Sequence, residues 1–172
     1  QVLVHCDYGI DLHTAAESRA NLCHVRGDAT NHVTRGMMRA FGTPVLLHGE
    51  GPKGSLRRHC TDEGIPTIIF EAGEPNRFQP HVVEIGVQGV LRTLRHLGMT
   101  KKRCAPKPSY QVLLKKSQWA RTEHGGILDL RATPGDLVRK NQVLARVLDP
   151  FGTEVSSVRS PLTGVVLGMG TK

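Results

Sequence analysis

The sequence lacks the features that mark membrane and secreted proteins. None of its apolar runs approaches the roughly 20 residues that a membrane-spanning helix needs. No basic segment followed by an apolar stretch, which is the pattern of a secretory signal peptide, occurs near Gln1. The four cysteines form no Cys-x-x-Cys pair, which argues against a zinc ribbon or a redox motif and favours reduced thiols. We therefore expect a cytoplasmic protein.

Aromatic residues are also scarce, since the chain has one tryptophan, two tyrosines and four phenylalanines. The formal net charge of +8 would suit nucleic acid or a small anionic substrate. The basic residues are scattered, and the densest stretch, residues 100–104, has no aromatic side chain that could stack on a base. We therefore predict no nucleic-acid binding and interpret that stretch as a solvated linker.

The pattern of apolar residues changes near residue 100. Before it, short apolar runs alternate with helical segments, as in an α/β layer. Strands are predicted at residues 2–4, 8–12, 43–47 and 67–70, and helices at residues 31–41 and from Pro80 to Gly98. Residues 1–100 therefore form the predicted α/β part.

The rest of the chain predicts a different architecture. Residues 101–109 hold two prolines among basic residues and are predicted to be a linker. From residue 110 onwards the apolar period becomes two, and glycine- and proline-containing turns separate short strands. Residues 110–172 are therefore predicted to be a small, all-β, barrel-like domain.

The first candidate for chemistry is His13, at the end of the predicted strand 8–12. Side chains alternate along a strand, so Asp11 and His13 are expected to face the same way. Open α/β sheets bind ligands at the carboxyl ends of their strands. There, His13 could give a metal one imidazole nitrogen, and Asp11 could orient its ring. The alternative is a histidine with a purely structural hydrogen bond.

The second candidate is Glu71, which directly follows the predicted strand 67–70. A carboxylate at this position could serve as a general base. The alternative is a carboxylate that is simply hydrogen-bonded at the edge of the sheet.

These motifs, taken in order along the chain, resemble the succinylglutamate desuccinylase/aspartoacylase family. The resemblance rests on DLHTA at residues 11–15, GIPT at 64–67 running into FEAG at 70–73, GVQGVL at 86–91 and LGM at 97–99. It implies a partial zinc-carboxypeptidase-like sheet with flanking helices.

The resemblance also implies an activity and roles for three residues. His13 matches the family's third zinc ligand, Glu71 its general base, and Arg58 resembles a position that binds the substrate carboxylate. The implied cofactor is zinc. The implied reaction is hydrolysis of the amide bond of an N-acyl amino acid or a similar small amide. A small molecule is then the expected partner, and a homo-oligomer is left open.

The sequence departs from the family at the other zinc ligands. The family takes them from a His-x-x-Glu motif upstream of the Asp-x-His strand, and the 12 residues before His13 contain no such motif. The family's upstream Asn-Arg pair is missing too. His48 and Glu50 do not replace the motif, because they are only two residues apart and follow that strand. We expect a fragment of a longer enzyme, inactive alone; the alternative is a non-catalytic binding or scaffold module that has lost the metal site.

The β part resembles a biotinyl/lipoyl-type barrel between residues 126 and 166. Carrier domains of that type hold a modified lysine at a hairpin tip, and the tip predicted here, residues 149–154, contains no lysine. This argues against a carrier function. Because the chain starts at Gln1 without a methionine and stops at Lys172, where a further strand would be expected, it is interpreted as cut at both ends.

Overall fold

The computed structural model describes residues 5–171, so the strand predicted at residues 2–4 lies outside the described residues. The α/β part contains, in chain order, β1 (Gly9–Thr14), β2 (Arg19–Gly27), α1 (His32–Phe41), β3 (Val45–His48), α2 (Leu56–Asp62), β4 (Thr67–Gly73) and α3 (Pro80–His96). The strands that follow are β5 (Val112–Leu114), β6 (Ile127–Leu130), β7 (Leu137–Val138), β8 (Val143–Leu148), β9 (Glu154–Arg159), β10 (Gly164–Val165) and β11 (Gly168–Gly170).

The main sheet has six strands in the order β1-β4-β2-β3-β5, with β11 paired to β2 as well. Strand β4 runs parallel to β1 and antiparallel to β2, while β3 runs parallel to both β2 and β5. The strands predicted at 8–12, 43–47 and 67–70 are confirmed, with their ends shifted by at most three residues. Strand β2 and helix α2 were not predicted, and both prove to carry site residues.

The two faces of this sheet differ in chemistry. On one face the side chains of Val25, Leu46, Ile68 and Phe70 are buried against α1 and α3 and form the main core. Side chains alternate along a strand, so the residues between them point to the other face. That other face carries the polar residues of the candidate site.

Both predicted helices are confirmed: α1 has the predicted residues at its two ends, and α3 begins at Pro80 as predicted and ends at His96, two residues before Gly98. The Asn31 side chain accepts hydrogen bonds from the backbone N–H groups of Val33 and Thr34, and Gly42 ends α1 with a φ of 87°. An asparagine side chain can cap the first turn of a helix, and the left-handed backbone conformation at the other end favours glycine. Where α1 meets α3, a Cβ on Gly89 would lie 2.2 Å from Cε1 of Phe41, so only glycine permits this close packing. This contact fixes α3 against the core face of the sheet.

The β part differs from the barrel-like domain that the sequence suggests. Its described strands form a three-stranded sheet, β6-β8-β9, and a two-stranded sheet, β7-β10, and a barrel is not shown. Strands β5 and β11, both within residues 110–172, pair with the main sheet instead. A period of two predicts that a segment is a strand but not which strand it will pair with, which explains the difference. The hairpin tip after β8 is confirmed, and Oδ1 of Asp149 accepts the backbone N–H groups of Phe151 and Thr153 there.

None of the helices in residues 5–171 is long and apolar enough to cross a membrane.

Candidate functional site

His13 and Glu71 lie side by side at the carboxyl ends of two neighbouring parallel strands. In the register of β1 and β4, His13 is the direct partner of Glu71, and Asp11 is the partner of Ile69. Residues paired in this way point to the same face of the sheet. The prediction that the two residues approach one another across the carboxyl edge of one sheet is therefore confirmed by the strand register.

The imidazole of His13 is oriented by the carboxylate two residues earlier. Nε2 of His13 lies 3.1 Å from Oδ2 of Asp11, and 51% of the His13 side chain is exposed. A histidine that ligates a metal through one nitrogen commonly donates the other N–H to a carboxylate. His13 would therefore fit one ligand position of a metal site, because its contact with Asp11 uses Nε2 and leaves Nδ1 for a metal.

The described residues do not complete such a site. Residues 5–171 contain no cluster of three or more histidine, cysteine, aspartate or glutamate side chains that could hold a metal ion. His48 is not a second ligand, because its Nδ1 accepts the backbone N–H of Ala29 at 3.0 Å and lies 3.7 Å from Oδ1 of Asp28. A zinc site at this edge of the sheet would therefore take one ligand, His13, from the described residues.

Glu71 is held by a residue of β2 that the sequence analysis missed. Nδ2 of Asn21 donates to Oε2 of Glu71 at 3.1 Å. Strand β2 contains an irregularity at this point: Asn21 pairs with Gly73 and His24 pairs with Glu71, so three steps on β2 match two on β4. This bulge lets Asn21 and His24 share one face although they are three positions apart in the sequence. A strict alternation pattern could not have found the pair.

The loop after Glu71 requires its glycine. Gly73 has a φ of 62°, and a Cβ at this position would lie 2.3 Å from Oε1 of Gln79. That same oxygen accepts the backbone N–H of Glu74 at 2.9 Å, which ties the loop to the start of α3. The Glu-Ala-Gly sequence is thus a strand end followed at once by a tight, side-chain-supported turn.

Arg58, the residue singled out from the sequence, is engaged elsewhere. Its Nη1 lies 2.9 Å from Oε2 of Glu50, and its Nε lies 2.9 Å from Oδ1 of Asp62. Both acidic partners are about half exposed, so these ion pairs lie on the surface. The guanidinium of Arg58 is therefore committed to the outer side of α2.

The preceding residue, Arg57, faces the site instead. It is 8% exposed, and its Nε and Nη1 are buried without a hydrogen-bond partner in the described part of the chain. Burial lowers the pKa of Arg57, as does the nearby charge of Arg26, whereas the carboxylates of Glu71 and Asp11 raise it. A buried guanidinium with unsatisfied donors is costly, and an anionic ligand would satisfy it.

His24 and Arg26 extend the polar face along β2. His24 is fully buried, its Nδ1 lies 2.7 Å from the carbonyl oxygen of Leu22, and Nε of Arg26 donates to its Nε2 at 2.9 Å. A carbonyl oxygen can only accept, so Nδ1 carries the proton and Nε2 accepts. Burial is the main cause that lowers the pKa of His24 to about 4, assisted by the charges of Arg26 and Arg57. His24 is therefore neutral at physiological pH.

The pKa of His24 predicts a pH-dependent stability. Between pH 6.5 and about 4 the unfolded chain binds a proton at His24 that the folded chain does not, so the free energy of unfolding falls as the pH falls through this window. The full shift of the His24 pKa corresponds to a loss of roughly 3 kcal/mol in the free energy of unfolding. Urea unfolding at pH 7 and pH 4.5 should show a larger loss of stability for the wild type than for His24→Gln.

The matched control for this experiment is His81→Gln, which changes an exposed histidine on α3. Its stability should follow the wild type at both pH values. If the His24→Gln variant also follows the wild type, His24 is not a buried neutral imidazole.

A cavity of about 650 Å³ adjoins the polar face. Asn21 and Arg26 of β2 form one wall, the segment 114–122 forms another, and residues of the smaller sheets line much of the rest. His13, Glu71 and Arg57 do not line this cavity, so it lies beside the candidate site rather than in it. Arg26 lies between the two, because it lines the cavity and its charge acts on Arg57.

The chain is similar to known proteins in sequence and in fold. Residues 1–97 match the succinylglutamate desuccinylase/aspartoacylase catalytic domain. No curated protein sequence matches the chain significantly.

Several solved structures share the fold. The apo form of the ectoine utilization protein EutE (DoeB) from Ruegeria pomeroyi has 20% identity and a TM-score of 0.88, over 98% of this chain and 56% of that one. A succinylglutamate desuccinylase/aspartoacylase from Rhodobacter sphaeroides has 18% identity and a TM-score of 0.85, over 99% of this chain and 55% of that one. A succinylglutamate desuccinylase from Silicibacter sp. TM1040 has 20% identity and a TM-score of 0.82, over 99% of this chain and 55% of that one.

The chain thus spans about half the length of the structures that it resembles. The matched family domain covers more than half of the chain, from residue 1 to residue 97, and includes every residue of the polar face. The chain belongs to the succinylglutamate desuccinylase/aspartoacylase family.

Proposed function

We propose that this chain is part of a zinc-dependent hydrolase that removes the acyl group from an N-acyl amino acid or a similar small amide. The observation that carries the proposal is the pairing of His13 with Glu71 on adjacent parallel strands, with the buried Arg57 directed at the same face. The three side chains supply a metal ligand, a proton acceptor and an anion-binding group. These are the parts that hydrolysis of a carboxylate-bearing amide needs.

Each residue has one role in this proposal. His13, oriented by Asp11, would hold zinc, with the remaining ligands coming from residues outside this chain. Zinc supplies a Lewis acid that polarises the amide carbonyl and makes water a stronger nucleophile. Glu71 accepts the proton of the attacking water and delivers it to the amine that leaves. Asn21 fixes the carboxylate of Glu71 in position through its 3.1 Å hydrogen bond.

Arg57 replaces Arg58 as the proposed group that binds the substrate carboxylate. Its buried donors are unsatisfied in the described residues, whereas Arg58 already has two acidic partners. A bidentate guanidinium–carboxylate contact would orient the substrate with its amide towards Glu71.

This assignment predicts different effects for two neighbouring arginines. Arg57→Gln should raise KM for an N-acyl amino acid roughly 10- to 100-fold, the usual cost of a lost charge-assisted hydrogen bond at a buried site. Arg58→Gln should leave KM within about twofold, because exposed ion pairs contribute little. Steady-state kinetics on both variants, with melting temperatures to verify folding, measure the difference. If the larger effect came from Arg58→Gln, the assignment of these two residues would be reversed.

The activity itself is tested on the full-length protein. After loading with zinc, it should release free amino acid from an N-acetyl or N-succinyl amino acid, detected by chromatography of the liberated amine. A chelator should abolish the release, and added zinc should restore it. A folded, zinc-loaded protein that hydrolyses none of a broad set of N-acyl amino acids would favour a non-catalytic scaffold that has lost the activity.

A further inference from the structure

The cavity beside the candidate site has an unusual balance of charge. Its lining includes five basic side chains, and the described residues that line it include no aspartate or glutamate. The basic residues are Arg19, Arg26, Lys115, Lys116 and Arg121. Like charges gathered around one space without counter-charges favour an anionic occupant.

Arg26 differs from the other two arginines of the lining in how it is held. Arg19 and Arg121 both lie over the ring of Trp119, with guanidinium carbons 4.9 Å and 5.7 Å from its centroid. Arg26 is instead fixed through Nε by the buried His24. Its hydrogen bond to His24 uses only Nε, which leaves the two Nη groups of the guanidinium as donors for a ligand.

The partner that holds Arg26 does not cancel its charge. A carboxylate in the place of His24 would form an ion pair and leave Arg26 a weak anion binder. The neutral imidazole accepts the Nε–H group and is itself anchored to the carbonyl oxygen of Leu22. The arrangement orients a guanidinium while its positive charge remains available to a ligand.

Arg26 and Arg57 lie close enough that the charge of Arg26 lowers the pKa of Arg57. The carboxylates of Glu71 and Asp11 act on Arg57, but within residues 5–171 no salt bridge joins a carboxylate to either guanidinium group, so the two groups repel one another. A ligand that brings one anionic group to each would relieve that repulsion. Arg57 serves the candidate site, and Arg26 faces the adjoining cavity.

We propose that Arg26, positioned by His24, is a specificity-determining residue that binds a second carboxylate of the substrate on the side of the candidate site that adjoins the cavity. The inference rests on the proposed function in treating the ligand as a substrate. Arg57 holds one carboxylate, and Arg26 distinguishes substrates that carry a second carboxylate from those that do not. His24 is a positioning residue that acts through Arg26.

The test measures binding, so that it does not depend on turnover. Succinate and glutarate serve as dicarboxylate probes, and butyrate and valerate as monocarboxylate probes of matched length. In calorimetry on the full-length protein, the better dicarboxylate should bind roughly 10- to 100-fold more tightly than its monocarboxylate counterpart. Arg26→Gln should abolish this preference and leave the affinity for the monocarboxylates unchanged. Arg58→Gln, the matched control on the surface of α2, should keep the wild-type preference.

His24 is tested by two substitutions with the same readout. His24→Leu removes the acceptor for Arg26 and should reduce the preference for dicarboxylates, while the affinity for monocarboxylates remains. His24→Gln places an amide oxygen that can accept the same N–H and should restore part of the preference. A general structural defect would weaken the binding of both probe types together, which would overturn the role of His24.

Two results would overturn the inference as a whole: a wild type without preference for dicarboxylates, or an Arg26→Gln variant that keeps it. Failure of the proposed function gives a different result, because a protein without hydrolytic activity would still show the Arg26-dependent preference in binding.

Discussion

Glu71→Gln should reduce turnover of an N-acyl amino acid by roughly 100-fold or more, the usual size of a lost general base. Glutamine keeps the shape of the side chain and can still pair with Asn21, since the amide group of Asn21 can donate to its oxygen. It cannot accept the proton of the attacking water. KM and bound zinc should remain close to the wild-type values, because Glu71 is not a metal ligand in the proposed mechanism.

The control for this experiment is Glu74→Gln. Glu74 lies three residues further along the chain, and its carboxylate pairs with the exposed Arg77. The turnover of the Glu74→Gln variant should be within about twofold of the wild type, because a surface ion pair contributes little. A Glu71→Gln enzyme that is folded, zinc-loaded and fully active would refute the role of Glu71 as the base. A purely structural Glu71 would instead lower the melting temperature and leave turnover per folded molecule nearly unchanged.

His13→Ala should remove zinc and activity together. The loss of one of about three protein ligands weakens a catalytic zinc site severely. The metal content of the full-length protein after dialysis should therefore fall from one zinc per molecule to well below that. The His13 side chain is half exposed, so its truncation should change the melting temperature of the metal-free protein little. Metal analysis and turnover on the same preparation measure both effects.

His48→Ala is the matched control for that variant. His48 also ends a strand of the main sheet, and its imidazole is engaged by the backbone of Ala29. Zinc content should stay at the wild-type level in this variant. Loss of zinc from His48→Ala, with zinc retained in His13→Ala, would show that the metal lies at the end of β3 and not at the end of β1.

Three strands of the main sheet and the positions of His13 and Glu71 could be predicted because their signals are local. Buried strands such as 67–70 are uninterrupted apolar runs, and Asn31 and Gly42 mark the two ends of α1. Both His13 and Glu71 directly follow apolar runs, so their position at the carboxyl edge of the sheet followed from the strand assignment.

The remaining residues of the polar face could not be predicted, because their placement depends on tertiary structure. Strand β2 is rich in polar residues, and its bulge breaks the alternation that would have revealed Asn21 and His24. The choice between Arg57 and Arg58 depends on how α2 is rotated against the sheet, and adjacent residues on a helix point about 100° apart. The position of β5 and β11 in the main sheet depends on long-range pairing that no local pattern encodes.

The most direct test of the site is the position of zinc in crystals of the full-length protein, located by anomalous diffraction at the zinc absorption edge. We expect one peak at the carboxyl ends of β1 and β4, about 2.0–2.1 Å from a ring nitrogen of His13. The carboxylate of Glu71 should lie nearby without bonding to the metal. A zinc ion bound away from His13, or one that takes Glu71 as a ligand, would contradict the proposed mechanism.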